Sequence, residues 1–202
     1  MEKTKNLELT FVPITKENIL LATEIQMTFW PNSCAYNSYI RAYNKGKPYW
    51  LVYSGNEIVG ISGIYDYPEL GEKKTAWLGW FGVLEKFRGG GYGKEILIKT
   101  LSIAKEEGYT ALRLYSSKRE DLCPNAVPFY RKISSMYNGF VEDYTLEQPQ
   151  MERIVVSFSL DGNTITKWNN RNLHLEEDEK DEENALKEYI KIKNDQKKVN
   201  FE

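Results

Sequence analysis

Residues 75–104 decide the fold of this chain, and they read TAWLGWFGVLEKFRGGGYGKEILIKTLSIA. The first ten of these residues are almost wholly apolar, which predicts a strand buried on both faces. From Tyr92 onward the apolar residues recur at helical spacing, and Gly108 stands where a helix commonly ends. We therefore expect a helix over about residues 92–107, joined to the buried strand by the glycine-rich stretch at residues 88–94.

This glycine-rich stretch, RGGGYGK, is suited to binding a phosphate group. The N-terminus of a helix offers N–H groups that lack intrahelical acceptors, and glycines allow a phosphate to approach the backbone closely. A Walker loop is excluded, because it needs glycine where Arg88 stands and serine or threonine where Glu95 stands. The dinucleotide fingerprint G-x-G-x-x-G is excluded as well, because no glycine of the stretch starts it in the right register.

The rest of the chain alternates strands and helices in the order expected of a mixed α/β domain. Further strands are predicted at residues 6–12, 49–54, 57–67, 111–116, 140–145 and 153–160, and further helices at residues 19–27, 36–43 and 126–136. Asn125 is expected to cap the last of these helices, and Met136 is expected to face its core.

Composition excludes several classes of protein. The chain has 202 residues, 41% of them hydrophobic, which is enough to bury a core, and its net charge of −2 does not indicate a nucleic-acid binder. Cys34, Cys123 and the single histidine, His174, have no metal-ligand spacing, so we expect free thiols and no metal. No signal peptide or run of about 18 apolar residues is found, so the expected location is cytoplasmic, without a membrane.

The C-terminal residues differ in composition from the rest. Residues 176–183 are nearly all acidic, and lysines follow on a helical pattern. We predict a domain over residues 1–162 and a charged extension with a helix over residues 163–202. The simplest interpretation is a solvated terminal helix with a narrow apolar stripe, dispensable for ligand binding; the alternative is a helix that binds a partner.

The order of elements and the spacing R-x-x-G-x-G, formed by Arg88, Gly91 and Gly93, resemble the GNAT superfamily of acyl-CoA-dependent N-acyltransferases. The resemblance covers about residues 7–160 and is strongest in residues 77–104. It implies a mostly antiparallel central sheet with splayed middle strands, flanked by helices.

The resemblance also implies an acetyl-CoA site. In the family, the strand before the loop pairs with the pantetheine arm, and here that strand supplies Phe81, Gly82 and Val83. The loop amides hold the pyrophosphate, a role that falls here to Arg88, Gly89, Gly90, Gly91, Tyr92, Gly93 and Lys94.

A second motif, AVPFY at residues 126–130 followed by Gly139-Phe140, resembles the family's A-x-x-F-Y helix. The resemblance implies that Tyr130 protonates the coenzyme thiolate as it leaves; the alternative is an ordinary packed tyrosine. The family often has an asparagine seven residues before this tyrosine. Cys123 stands there in this chain, and Asn125 is out of register. The contact that the family's asparagine makes with the coenzyme is therefore not carried over to this chain.

The general base is less evident, because no histidine lies in the predicted core. Asp66, Glu69 and Glu72, near a predicted turn, are candidates, as is a chain of water molecules; the simpler interpretation of each carboxylate is a solvated turn residue. The helices that form the acceptor wall in the family carry an aromatic cluster here, which is either core or substrate contact: Phe29, Trp30, Tyr36, Tyr39 and Tyr43.

The resemblance therefore implies an N-acetyltransferase that transfers acetyl directly from acetyl-CoA to the primary amine of a small molecule or peptide, without a metal. A non-catalytic acyl-CoA-binding module with a partner-recruiting tail is the alternative. The sequence leaves open the acceptor, the acyl length and the oligomeric state, a homodimer included.

Overall fold

Residues 7–66, 74–117, 125–144, 153–163, 165–168 and 184–195 are described by a computed structural model. Within these ranges the chain forms eight strands and five α-helices. The strands are β1 (Thr10–Pro13), β2 (Tyr49–Ser54), β3 (Glu57–Tyr65), β4 (Thr75–Leu78), β5 (Gly82–Val83), β6 (Ala111–Ser117), β7 (Phe140–Tyr144) and β8 (Arg153–Ser159). The helices are α1 (Ile19–Phe29), α2 (Tyr36–Asn44), α3 (Tyr92–Glu106), α4 (Ala126–Ser135) and α5 (184–195).

The strands form one mixed sheet in the order β1-β2-β3-β4-β6-β8-β7, and β5 pairs with β3 beside this path. Strands β4 and β6 are parallel, and the other pairs are antiparallel. The expected mixed α/β fold, with a mostly antiparallel sheet and flanking helices, is confirmed. The predicted order of elements is also confirmed, with one exception at the strand predicted for residues 75–84.

The predicted single strand over residues 75–84 is wrong, because the structure divides it into β4 and β5. Strand β3 pairs Ile64 with Leu78 but Ile61 with Gly82, so three steps along β3 correspond to four along its partner. One extra residue is therefore accommodated between the two pairings, as in a β-bulge. Of these two strands, β4 is buried along its whole length, whereas both residues of β5 are half-buried.

The chain divides into two compact units. The first contains the described parts of Met1–Gly63, Trp80–Ile96 and His174–Glu202. Its core is an apolar cluster contributed by β2, β3 and helices α1, α2 and α5. The buried members of this cluster, which we call the helical core, are Ile14, Ile19, Ala22, Cys34, Ala35, Tyr36, Tyr39, Ala42, Tyr49, Leu51, Ile61, Ala185 and Tyr189.

The second unit contains the described parts of Ile64–Gly79 and Leu97–Leu173, and a buried arginine lies at its centre. Arg113 on β6 is 1% exposed; its guanidinium donates to the Ser157 hydroxyl at 3.2 Å and to the Thr166 carbonyl at 2.8 Å. A buried charge needs such acceptors to remain ionised. The ring of Trp168 packs on Trp77 at 5.9 Å between centroids, so part of the predicted extension lies inside this unit.

Two predictions about α4 are wrong. Asn125 precedes the helix in a left-handed conformation with φ of 59°, and its side chain makes no capping hydrogen bond. Met136 is 58% exposed, whereas Ile133 is buried. Because Met136 follows the last residue of the helix, the helical periodicity that placed it in the core no longer applies.

Helix α5 is more than a solvated appendage. Ala185 and Tyr189 are 0% and 4% exposed and belong to the helical core. The Lys193 ammonium lies 2.7 Å from the Glu24 carboxylate of α1, and the Tyr189 hydroxyl donates to the same carboxylate at 3.4 Å. This burial argues against a dispensable tail, while a boundary at residue 162 remains a prediction.

Removing the Tyr189 side chain tests the contribution of α5 to stability. We expect Tyr189→Ala to lower the free energy of unfolding by about 3 kcal/mol, because a buried ring leaves a cavity. Ile190→Ala is the matched control, since Ile190 neighbours it on the same helix but is 49% exposed, and we expect a change within about 0.5 kcal/mol. Equal urea midpoints for the two variants would mean that α5 is not part of the core.

The Tyr39 hydroxyl is a second buried group with a measurable consequence. Tyr39 is 1% exposed, packs edge-to-face on Tyr49, and its hydroxyl has no hydrogen-bond partner among the described residues. Burial raises the pKa of this hydroxyl well above its ordinary value of 10.0, and Tyr49 and Cys34 add to the shift. Above pH 10 the folded chain therefore keeps a proton that the unfolded chain releases.

We expect the free energy of unfolding to fall as the pH rises above about 10, because a raised folded-state pKa favours the folded chain only while the unfolded tyrosine is protonated. Tyr39→Phe removes this contribution, so its decline is shallower, although Tyr36, Tyr189 and Lys193, whose pKa values are also raised, still titrate. At pH 7 the variant gains about 1 kcal/mol, because an unsatisfied hydroxyl is lost. Urea unfolding of both proteins across this range checks the prediction, and parallel curves contradict it.

Candidate functional site

The glycine-rich loop leaves β5 through a short 3-10 turn at Glu85–Phe87 and enters α3. The Arg88 side chain donates from Nε to the Val83 carbonyl at 3.1 Å, which ties the start of the loop to the strand before it. Gly89 and Gly91 have φ of 78° and 86°, a region that disfavours residues with a Cβ. The space where a Cβ would stand at Gly89 is open to 4 Å.

The first turn of α3 follows this loop directly and carries backbone N–H donors. The Glu95 N–H donates to the Gly91 carbonyl at 3.2 Å, which is the first hydrogen bond of the helix. The N–H groups of Tyr92, Gly93 and Lys94 precede it in the chain. Donors at such a position have no intrahelical acceptor, and the positive end of the helix dipole lies beside them. A glycine-rich turn followed by a helix N-terminus is a common phosphate-binding arrangement, and that role stays a prediction for this loop.

Strand β5 lies unusually close to β3. A Cβ built on Gly60 would stand 2.2 Å from the Gly82 carbonyl oxygen, so this approach requires glycine at position 60. The pairing of β4 with β6 ends at Trp77 and Arg113, although β6 continues to Ser117. This early end of the parallel pairing agrees with the splayed middle strands that the family resemblance implies.

Three aromatic rings meet beside β5, and one of them was missed by sequence reasoning. Trp80 packs edge-to-face on Trp30 at 5.3 Å between centroids, and Trp30 packs on Phe29 at 5.5 Å. The Phe29 ring covers Gly82, since a Cβ built there would lie 3.0 Å from it. We call Phe29, Trp30 and Trp80 the aromatic triad. The available signal was the position of Trp80 directly before Phe81 in the proposed coenzyme strand.

The other aromatic residues of the predicted acceptor wall do not join this triad. Tyr36 and Tyr39 are 9% and 1% exposed and belong to the helical core. Tyr43 is 45% exposed, and the Lys16 ammonium lies 5.9 Å from its ring centroid. The structure therefore supports the core interpretation for Tyr36 and Tyr39, and it leaves Phe29, Trp30 and the exposed Tyr43 as candidates for substrate contact.

The buried Gln26 side chain holds the connection between α1 and α2. Its amide nitrogen donates to the Ser33 carbonyl at 3.3 Å, and its amide oxygen accepts from the Ala35 N–H at 3.0 Å. Gln26 is fully buried, so leaving these groups without partners is costly. The connection that follows Phe29 and Trp30 is thus fixed by a side chain within α1.

The second unit carries the predicted acid. Tyr130 is half-buried on α4, and its ring packs edge-to-face on Phe129 at 5.1 Å. Gly139, of the predicted Gly139-Phe140 pair, lies where a Cβ would meet the Ser157 carbonyl at 2.0 Å. This contact explains the glycine as a packing requirement.

Of the candidate general bases, Asp66 accepts a hydrogen bond from the Tyr109 hydroxyl at 2.6 Å. Glu69, Glu72 and Cys123 lie outside the described residues. Among the residues that are described, no three His, Cys, Asp or Glu side chains are grouped to hold a metal ion. No helix in the described ranges combines the length and apolar character needed to cross a membrane.

Comparison with family models identifies one family. The sequence model of the acetyltransferase (GNAT) family matches residues 19–134. The fold is similar to that of a GNAT family acetyltransferase from Elizabethkingia anophelis with acetyl-CoA bound, at 16% identity and a TM-score of 0.54, covering 77% of this chain and 99% of that one. No curated protein matches the sequence.

Two further solved structures share the fold. A Bacillus subtilis acetyltransferase in complex with CoA is 12% identical, with a TM-score of 0.52, and the match covers 76% of this chain and 99% of that one. An IAA acetyltransferase from Bacillus cereus is 16% identical, with a TM-score of 0.53, and the match covers 75% and 99%. At these identities the likeness concerns the fold.

Proposed function

The chain belongs to the GNAT acetyltransferase family, and from this membership we propose that it transfers an acetyl group from acetyl-CoA to the primary amine of a small molecule or peptide. The observation that carries the proposal is the loop before α3, where Gly89 and Gly91 have positive φ, no atom lies within 4 Å of a Cβ built on Gly89, and the first turn of α3 follows directly. Two structures of similar fold were determined with acetyl-CoA or CoA bound, which supports the same ligand here.

The residues present fit the coenzyme. The N–H groups of Gly91, Tyr92, Gly93 and Lys94 are proposed to hold the pyrophosphate, because they combine donors with the helix dipole. The Lys94 ammonium adds a positive charge in the same turn. Gly89 and Gly90 supply the turn, and Arg88 keeps it attached to β5 through the Val83 carbonyl.

The strand Phe81–Val83 is proposed to place the acetyl group. Acetyl-CoA supplies that group as a thioester, which an unprotonated amine attacks at its carbonyl carbon. Backbone N–H groups of Phe81, Gly82 and Val83 are proposed to pair with the pantetheine arm and polarise the carbonyl as negative charge develops on its oxygen. Half-burial of β5 limits the water that competes for these groups.

Two proton transfers complete the proposed reaction. The attacking amine loses a proton, for which Asp66 and a chain of water molecules both remain candidates; one oxygen of Asp66 accepts a hydrogen bond from the Tyr109 hydroxyl. The sulfur gains a proton as it leaves, and Tyr130 is proposed to donate it from its hydroxyl. This role comes from the family resemblance of the helix that carries Tyr130.

Replacing Gly93 tests the loop. Gly93 lies in the first turn of α3, where a side chain is compatible with the helix, so Gly93→Glu keeps the fold. We expect it to weaken acetyl-CoA binding by roughly 100-fold or more, because a carboxylate lies beside the phosphates. Gly93→Gln is the matched control of equal size without the charge, and it should weaken binding far less. Calorimetric affinities equal to that of the original chain in both variants would exclude the loop as the phosphate site.

Replacing Tyr130 tests the proposed acid. Tyr130→Phe keeps the ring that packs on Phe129 and removes only the hydroxyl. We expect kcat to fall by about 10²–10⁴-fold at unchanged acetyl-CoA affinity, because general acid catalysis acts in the transition state. The low end is favoured, since a thiolate of pKa about 8.5 leaves readily.

The matched control for this variant is Tyr137→Phe, which removes a hydroxyl from the segment following α4. An unchanged kcat in Tyr130→Phe would assign the proton to water, and an equal loss in the control would mean that the effect is structural. A thiol-release assay with a panel of amines provides the activity. Binding of acetyl-CoA without turnover on any amine would favour the non-catalytic module.

A further inference from the structure

We propose, on the basis of the proposed acetyl transfer, that the acceptor is an aryl-substituted alkylamine whose ring binds against Trp30 and Trp80. Both indoles belong to the aromatic triad beside β5, the strand proposed to hold the thioester. Four features of the first unit favour this class of substrate.

The first observation is contact with the proposed reaction strand. Phe29 covers the face of Gly82, at 3.0 Å from the position of a built Cβ, and Trp80 lies two residues before Gly82 on the same chain segment. Two residues span at most about 7 Å. If the ring of the acceptor packs on Trp80, a short alkyl chain is therefore enough to bring its amine to the thioester.

The second observation is that the triad lies at the edge of the core rather than inside it. Phe29, Trp30 and Trp80 are half-buried and pack against the helical core, whereas Tyr39 within that core is 1% exposed. Each of the three residues therefore packs against the core and keeps part of its surface accessible. Indole rings with an accessible part offer a large apolar surface that loses little conformational freedom on binding.

The third observation is backbone strain at Trp80. Its φ is 43°, in the left-handed region where a bulky residue is an outlier, and glycines occupy the nearby positions 79 and 82. A glycine at position 80 would adopt this conformation without strain. Strain retained in a residue beside a proposed reaction centre is a reason to look for a function of its side chain.

The fourth observation concerns charge. Residues 19–44, which form α1, α2 and their connection, contain one acidic residue, Glu24, and its carboxylate is occupied by Lys193 and Tyr189. The segment 75–84 contains no acidic residue. A polyamine acceptor needs carboxylates along its length, which these segments do not supply. An amine with one charge and an aromatic body matches them better, since rings attract both a flat apolar group and a cation.

The test measures how efficiently the full chain acetylates amines of similar size at saturating acetyl-CoA. We expect kcat/KM to follow the order phenethylamine or tryptamine above cyclohexylethylamine, and both above spermidine. In Trp80→Leu and Trp30→Leu, kcat/KM for phenethylamine should fall roughly 10-fold or more, while Trp80→Phe retains most of it because a ring remains.

Phe11→Leu is the matched control. Phe11 forms a comparable edge-to-face pair with Trp50, at 5.6 Å between centroids, but lies on the edge strand β1. It should leave kcat/KM for phenethylamine unchanged. A second readout is the calorimetric Kd of phenethylamine for the protein with CoA, which should weaken in Trp80→Leu by a similar factor, without any turnover being measured.

The outcomes separate the two proposals. If acetyl-CoA does not bind, the proposed function fails. If acetyl-CoA binds and aliphatic amines or spermidine are acetylated as efficiently as phenethylamine, or if the tryptophan variants behave like Phe11→Leu, only the aromatic acceptor is contradicted.

Discussion

The change of pairing along β3 is the constraint on which the proposed site depends. Strand β3 pairs with β4 at Ile64 and with β5 at Ile61, and one extra residue lies between the corresponding partners. The close approach of Gly60 to the Gly82 carbonyl fixes β5 against β3. This geometry determines where the loop begins, where Trp80 lies, and which strand backbone is available beside the loop.

The conformation of the glycine-rich loop and the start of α3 were predictable, because their signals are local. Helical periodicity after Tyr92, glycines at Gly89 and Gly91, and an apolar strand before them are readable without knowledge of distant contacts. Their conformations follow from backbone chemistry: the two glycines have positive φ, and α3 begins at Tyr92. The order of the other elements followed from the same kind of local pattern.

The features that were not predictable depend on residues far apart in the sequence. The division of the strand at residues 75–84 depends on register with β3, and an apolar run contains no information about register. The burial of Tyr189 depends on packing with α1, 165 residues away at Glu24. Its acidic and lysine-rich surroundings indicated a solvated helix. The role of Tyr130 remains a prediction, because its chemistry concerns a ligand rather than a contact of the chain.

The central claim is that first-turn amides of α3 hold the coenzyme pyrophosphate, and amide NMR during a titration tests it most directly. With CoA, the account predicts large shifts of the Gly91, Tyr92, Gly93 and Lys94 amide signals, because their N–H groups gain acceptors. With pantetheine, which lacks the pyrophosphate, these four signals should stay in place. Equal shifts with both compounds, or a CoA response that leaves these amides unchanged, would contradict the account.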